Sequence, residues 1–203
     1  MNDLTLEQQK EILNMYGDGI TNSFIEVIDK IGLSNFFKTY ELTHMKISNY
    51  IFKIKVIKIL EAFNEVTEQE KKSFLNILQN NQSKLIDFIE LIEKIDQIDK
   101  ALIIKSLLKK RLKNELTEED FFRYSKITVQ IYLNDLIYIT KLKKNNSDRI
   151  TDLIRGVALS SIGILEEGGF THSRLGGNMN TPRYYVLTKL GETYLQAISH
   201  QNK

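Results

Sequence analysis

Residues 148–200 read DRITDLIRGVALSSIGILEE (148–167), GGFTHSRLGGNMNTPRYYVLT (168–188) and KLGETYLQAISH (189–200). The first string has apolar residues at Ile150, Leu153, Ile154, Val157, Ile162 and Leu165, spacing that predicts an amphipathic helix ending near Glu167. Gly168 and Gly169 then turn the chain into a strand over 170–174. Gly176, Gly177, Asn178 and Asn180 supply a turn-forming tip, Pro182 suits a strand start, and 183–187 reads as the returning strand. Thr188 is positioned to cap a closing helix. Seven of the ten glycines and the only proline fall between Gly156 and Gly191, so turn and strand chemistry is concentrated here.

Everything upstream reads differently. The first 145 residues hold three glycines and no proline, and their strong periodicities are helical. Thr5 with Gln8 and Thr67 with Glu70 have the spacing of capping boxes, in which side chain and backbone satisfy each other's unpaired groups. Gly17 and Gly19 mark a bend, Gly32 ends a helix, and 33–40 is a short aromatic piece. Met45 to Phe63 is apolar on nearly every side with scattered lysines, which predicts a helix through the middle of a bundle whose lysine stems lie along neighbours. NNQS at 80–83 breaks the next helix, and Asp96 is placed to cap a helix over 98–112. On that helix Lys105, Lys109 and Lys113 form a stripe, readable as a phosphate-contacting ridge or as a solvated face complementing the helix dipole. Thr117 opens a single long helix through residue 144, acidic in its first turn and basic in its last.

The expected fold is therefore mostly α: a bundle of about six helices over 1–145, judged from helical periodicity, followed by a small α+β module over 146–203. With 28 basic and 26 acidic residues the net charge is +2, so any basic surface must be local. One such stretch is Gly168 to Gly191, which contains no acid and carries Arg174, Arg183 and Lys189. Cysteine is absent, excluding disulfides and thiolate chemistry. His44, His172 and His200 are mutually distant, no phosphate loop, dinucleotide fingerprint or nucleophile elbow occurs, and neither catalysis nor a cofactor or metal is expected. No apolar run is long enough to span a bilayer. The opening MNDLTLEQQKEI has acids and amides where a secretory signal would be basic and then apolar, so a cytoplasmic location is expected.

The string YYVLTKLGETYL (184–195) resembles the Y-x-L-T-x-x-G segment that closes the wing in MarR-like and PadR-like winged-helix proteins. The likeness covers about a quarter of the chain, the length of a short supersecondary module. It implies that the helix before the hairpin is a recognition helix, with Asp152, Arg155, Ser160 and Ser161 turned to a major groove. The hairpin would be a wing whose Arg174 and Arg183 touch phosphates or a minor groove. Arg155, Ser160, Ser161, Arg174 and Arg183, with Asn178, Asn180 and Lys189, make up the expected nucleic-acid-binding set. The helix departs from the pattern in having few Arg, Gln or Asn side chains to read base edges, and Asp152, Glu166 and Glu167 add negative charge. The helical region resembles uncharacterised bacterial or phage-associated helical proteins that carry a C-terminal winged module.

The resemblance implies a regulatory, duplex-DNA-binding protein, acting in transcription or mobile-element biology and dimeric as winged-helix DNA binders are. A rival from another class is an adaptor or phage-defence, immunity-type protein. It would bind a protein partner or a second copy through the 117–143 helix and use the winged module structurally. A third reading is a membrane-associated effector built on the N-terminal half.

Overall fold

The computed structural model describes residues 25–26, 28–30, 50–144, 149–168 and 184–199. The expected features at Thr5 and Gln8, Gly17 to Gly19, 33–40, 145–148, 170–174 and 176–180 lie outside the described residues. The described residues are mostly helical, with one small two-stranded antiparallel sheet among them. It divides into two compact units, Met1–Ser125 and Lys126–Lys203, whereas the sequence reading puts the junction at 145/146. No helix among the described residues is long and apolar enough to cross a membrane.

In the first unit, residues 25–26 and 28–30 are helical, with Ile28 buried. Helix α1 (Tyr50–Leu60) continues into a 3-10 turn, Glu61–Glu65. Phe52, Val56, Ile59, Leu60, Ala62 and Phe63 are buried, and α1 packs on the later helix α4 (Ile98–Leu112). Helix α2 (Glu68–Asn80) opens on the predicted capping box. Thr67 Oγ1 accepts from Glu70 N–H at 3.4 Å, and Thr67 N–H donates to Glu70 Oε2 at 2.7 Å. Asn81 then breaks the chain and caps α3 (Gln82–Glu93), its Oδ1 accepting from Lys84 N–H at 3.2 Å. Helix α5 (Glu118–Gln130) starts at Thr117, whose Oγ1 accepts from Asp120 N–H at 3.0 Å. Phe63, Phe74, Phe88, Phe121 and Phe122 pack together, with ring centroids 5.2 to 6.3 Å apart and several edge-to-face arrangements.

The expected cap at Asp96 is corrected in this unit. Asp96 does not cap α4; Gln97 occupies that position without a side-chain cap. The Asp96 carboxylate instead meets Lys100 Nζ at 2.8 Å. Lys100 is 1% exposed, so its ammonium needs a counter-charge more than the helix needs a cap. Burial alone would raise the Asp96 pKa, but the Lys100 hydrogen bond and charge outweigh it and hold the carboxyl below its ordinary value. Lys55, also buried, donates to the Ile95 carbonyl in the same turn, and burial pushes its pKa down.

The lysine stripe on α4 is not a free ridge either. Lys105 lies 3.1 Å from Glu61 and 2.8 Å from Glu65, and Lys109 lies 2.5 Å from Glu65. Hydrogen bonds from Lys105 and then Lys109 hold the Glu65 carboxyl below its usual range. A depressed folded-state pKa contributes stability that is present above the unfolded value and lost as pH falls through the folded one. At this exposure the network is worth no more than roughly 1 kcal/mol. Melting temperatures of wild type and Glu65→Gln should accordingly differ at neutral pH, begin to approach each other as pH falls through the ordinary Glu value of about 4.3, and meet only below the lowered folded-state value. A gap that persists in acid would mean Glu65 acts by packing instead of charge.

Just past Lys113, the C-cap of α4, Asn114 turns the chain out of the helix at a φ of 58°. Asn114 N–H donates to Arg111 O at 3.1 Å and Glu115 N–H to Lys110 O at 2.8 Å, the bond pair of a left-handed C-cap. Asn tolerates this conformation where most residues lose about 1–2 kcal/mol. Asn114→Ala should therefore lower stability by about that amount, and Asn114→Gly by less, in a denaturant titration. Equal losses would point to the Arg111 Nη1 to Asn114 Oδ1 bond, at 3.1 Å, as the part that matters.

The expected single helix over 117–144 is two. Helix α5 stops at Gln130 and α6 spans Leu133–Lys144. The β-branched run Ile127, Thr128, Val129 and Ile131 propagates a helix poorly, and Asn134 and Asp135 suit a new first turn.

In the second unit, α7 (Leu153–Ser161) is followed by β1 (Leu165–Glu167), β2 (Tyr185–Leu187) and α8 (Lys189–Ile198). The strands pair antiparallel, Leu165 with Leu187 and Glu167 with Tyr185, and Ile150 bridges to the other side of Tyr185. The helix expected to reach Glu167 ends six residues early. Gly163 adopts a φ of 78° and donates to Ser160 O at 3.0 Å, while Ile164 N–H donates to Leu159 O at 3.0 Å. Glycine enters that left-handed cap without the penalty a side chain would carry, and Leu159 and Ile164, flanking the cap, are both buried. Thr188 caps α8 as predicted, accepting from Gly191 N–H at 2.9 Å, and donates to Gly163 O at 2.6 Å. Tyr194 is fully buried with its hydroxyl 3.2 Å from Thr128 Oγ1; burial pushes its pKa up to about 12.

Candidate functional site

The rotation of α7 about its own axis decides what this unit offers to a partner. At 100° per residue, Leu153, Ile154, Val157 and Ser161 share one side and Gly156 and Leu159 lie on another. The second side is the one that packs: Gly156 and Leu159 are buried, and the Tyr185 ring lies so close to Gly156 that a Cβ there would sit 2.1 Å from it. The first side faces outward, with Leu153 50%, Ile154 85% and Val157 61% exposed. The sequence pattern suggests the reverse, an apolar stripe turned inward. Gly156 explains the difference, because the flat face left by its missing side chain is what accepts the Tyr185 ring.

Arg155, expected to face a major groove, is engaged within its own unit. Its Nε donates to Asp135 Oδ1 at 3.1 Å, its Nη1 lies 3.6 Å from Asp152 Oδ2, and its guanidinium sits 4.4 Å from the Tyr138 ring centroid. Asp152 in turn caps α7, accepting from Arg155 N–H at 3.2 Å. Two carboxylates and an aromatic face hold the guanidinium within its own unit, with Nε committed to Asp135 and the side chain still 36% exposed.

The other expected contacts are spread out. Ser160 Oγ is buried and finds no hydrogen-bond partner among the described residues. Ser161 is exposed, and its hydroxyl donates to Ala158 O at 2.7 Å. Lys189 extends into solvent at the start of α8, 3.7 Å from Glu192. Arg174, Asn178, Asn180 and Arg183 lie outside the described residues, so only Arg155, Ser160 and Ser161 are brought onto one element. A cation the sequence reading did not single out is Arg149, exposed and stacked 4.6 Å over the Tyr184 ring just before α7.

Among the described residues no group of three or more His, Asp or Glu side chains is arranged to hold a metal ion. Among the described residues of this unit, Leu153, Ile154 and Val157 form a run of exposed apolar side chains on one side of α7, and Ile154 is the most exposed of the large apolar residues. No protein-family model, curated protein or solved structure matches this chain.

Proposed function

We propose that this chain is a non-enzymatic interaction protein whose winged-helix-like C-terminal unit docks a protein partner on the outward side of α7. The observation that carries the reading is the exposure of Leu153, Ile154 and Val157 on the helix that a DNA-binding winged helix would turn to base edges. Base edges are read by paired donors and acceptors, and an apolar side chain there meets little beyond a thymine methyl. Against an apolar protein surface the same side chains gain the share of roughly 1.5–3 kcal/mol that their present exposure leaves, most at Ile154 and about half at Leu153, and a few such side chains at the centre of an interface can anchor a complex. The order helix, strand, strand, helix supports the winged-helix part, as does the capped Y-x-L-T-x-x-G segment.

The second reading is duplex DNA contact through the acid-free stretch 168–191, favoured by Arg174, Arg183 and Lys189. One experiment separates the two. The tagged full chain, as wild type, Ile154→Asp and Arg174→Ala/Arg183→Ala, is used to capture partners from its host extract with and without nuclease. Ile154 is so exposed that its replacement should shift stability by no more than about 0.5 kcal/mol, which a melting curve checks. The expected result is a protein captured equally with nuclease, lost on Ile154→Asp and retained by the double arginine variant. Capture that vanishes with nuclease or with the two arginines, and ignores Ile154, overturns the docking reading in favour of DNA.

A further inference from the structure

We draw no further inference here: the strongest candidate, the outward apolar face of α7 formed by Leu153, Ile154 and Val157, belongs to the site already described, and nothing in the structure shows what covers it.

Discussion

Replacing Phe74 with alanine should lower the unfolding free energy of the first unit by about 3–5 kcal/mol, the range for emptying a buried phenylalanine site. Phe74 has no solvent exposure and its ring meets three others, Phe63 at 6.2 Å, Phe88 at 6.0 Å and Phe121 at 5.7 Å, the last two edge-to-face. These rings come from the 3-10 turn after α1 and from α2, α3 and α5, so one side chain ties four elements together. Aromatic pairs contribute about 0.5–1.5 kcal/mol beyond their buried area, which puts Phe74 at the upper end of the range. Because a whole domain is typically stable by only about 5–15 kcal/mol, the loss is a large share of the total. Urea unfolding followed by circular dichroism measures it. Phe74→Leu, which keeps most of the volume and forfeits the edge-to-face contacts, should fall between wild type and alanine. A loss under about 1 kcal/mol for Phe74→Ala would mean that the cluster is not the centre of the core.

What could be read from the sequence follows the range of the interaction that fixes each feature. Thr67 with Glu70, Thr117 and Thr188 are caps decided within three residues, and each occurs where the spacing puts it. Asp96 has the same local credentials but is diverted by Lys100, whose burial no local pattern reveals. The early end of α7 is written in Gly163, yet Ile162, Ile164 and Leu165 continue an apolar rhythm that masks the stop. Arg155 shows the limit most clearly. It carries the residue type and position expected of a groove-reading side chain, and its carboxylate partner Asp135 lies twenty positions away on α6. The lysine stripe of α4 is similar, because Glu61 and Glu65 lie 44 positions before Lys105 and Lys109. Periodicity marks which residues of a helix share a side; it does not say which side the rest of the protein will cover.

Gly156 is where that side is chosen, and Gly156→Ala is expected to destabilise the second unit although alanine is the better helix former. Intrinsic propensity favours alanine by about 1 kcal/mol, since glycine gives up more backbone entropy on folding. Opposing this, the new methyl would lie 2.1 to 2.8 Å from Cδ2, Cε2 and Cγ of Tyr185. The Tyr185 ring cannot swing clear at little cost. The residue is buried, and its backbone is held in two ladders, paired with Glu167 on one side and bonded to Ile150 at 2.8 and 2.9 Å on the other. Overpacking of a well-filled site costs about 1–3 kcal/mol, so the steric term should win and leave a net loss of up to about 2 kcal/mol. Tyr185→Leu provides the cross-check, because a smaller side chain makes room for the methyl. In the double variant the loss should be less than the sum of the two singles, and the coupling, read from urea midpoints at constant slope, should exceed about 0.5 kcal/mol. The same displacement would turn α7 about its axis and shift Leu153, Ile154 and Val157, so partner capture should weaken with Gly156→Ala even at temperatures where the variant is folded. An alanine variant as stable as wild type or more so, with no coupling to Tyr185, would remove the close approach that sets the orientation of α7. The reason for its apolar side facing outward would go with it.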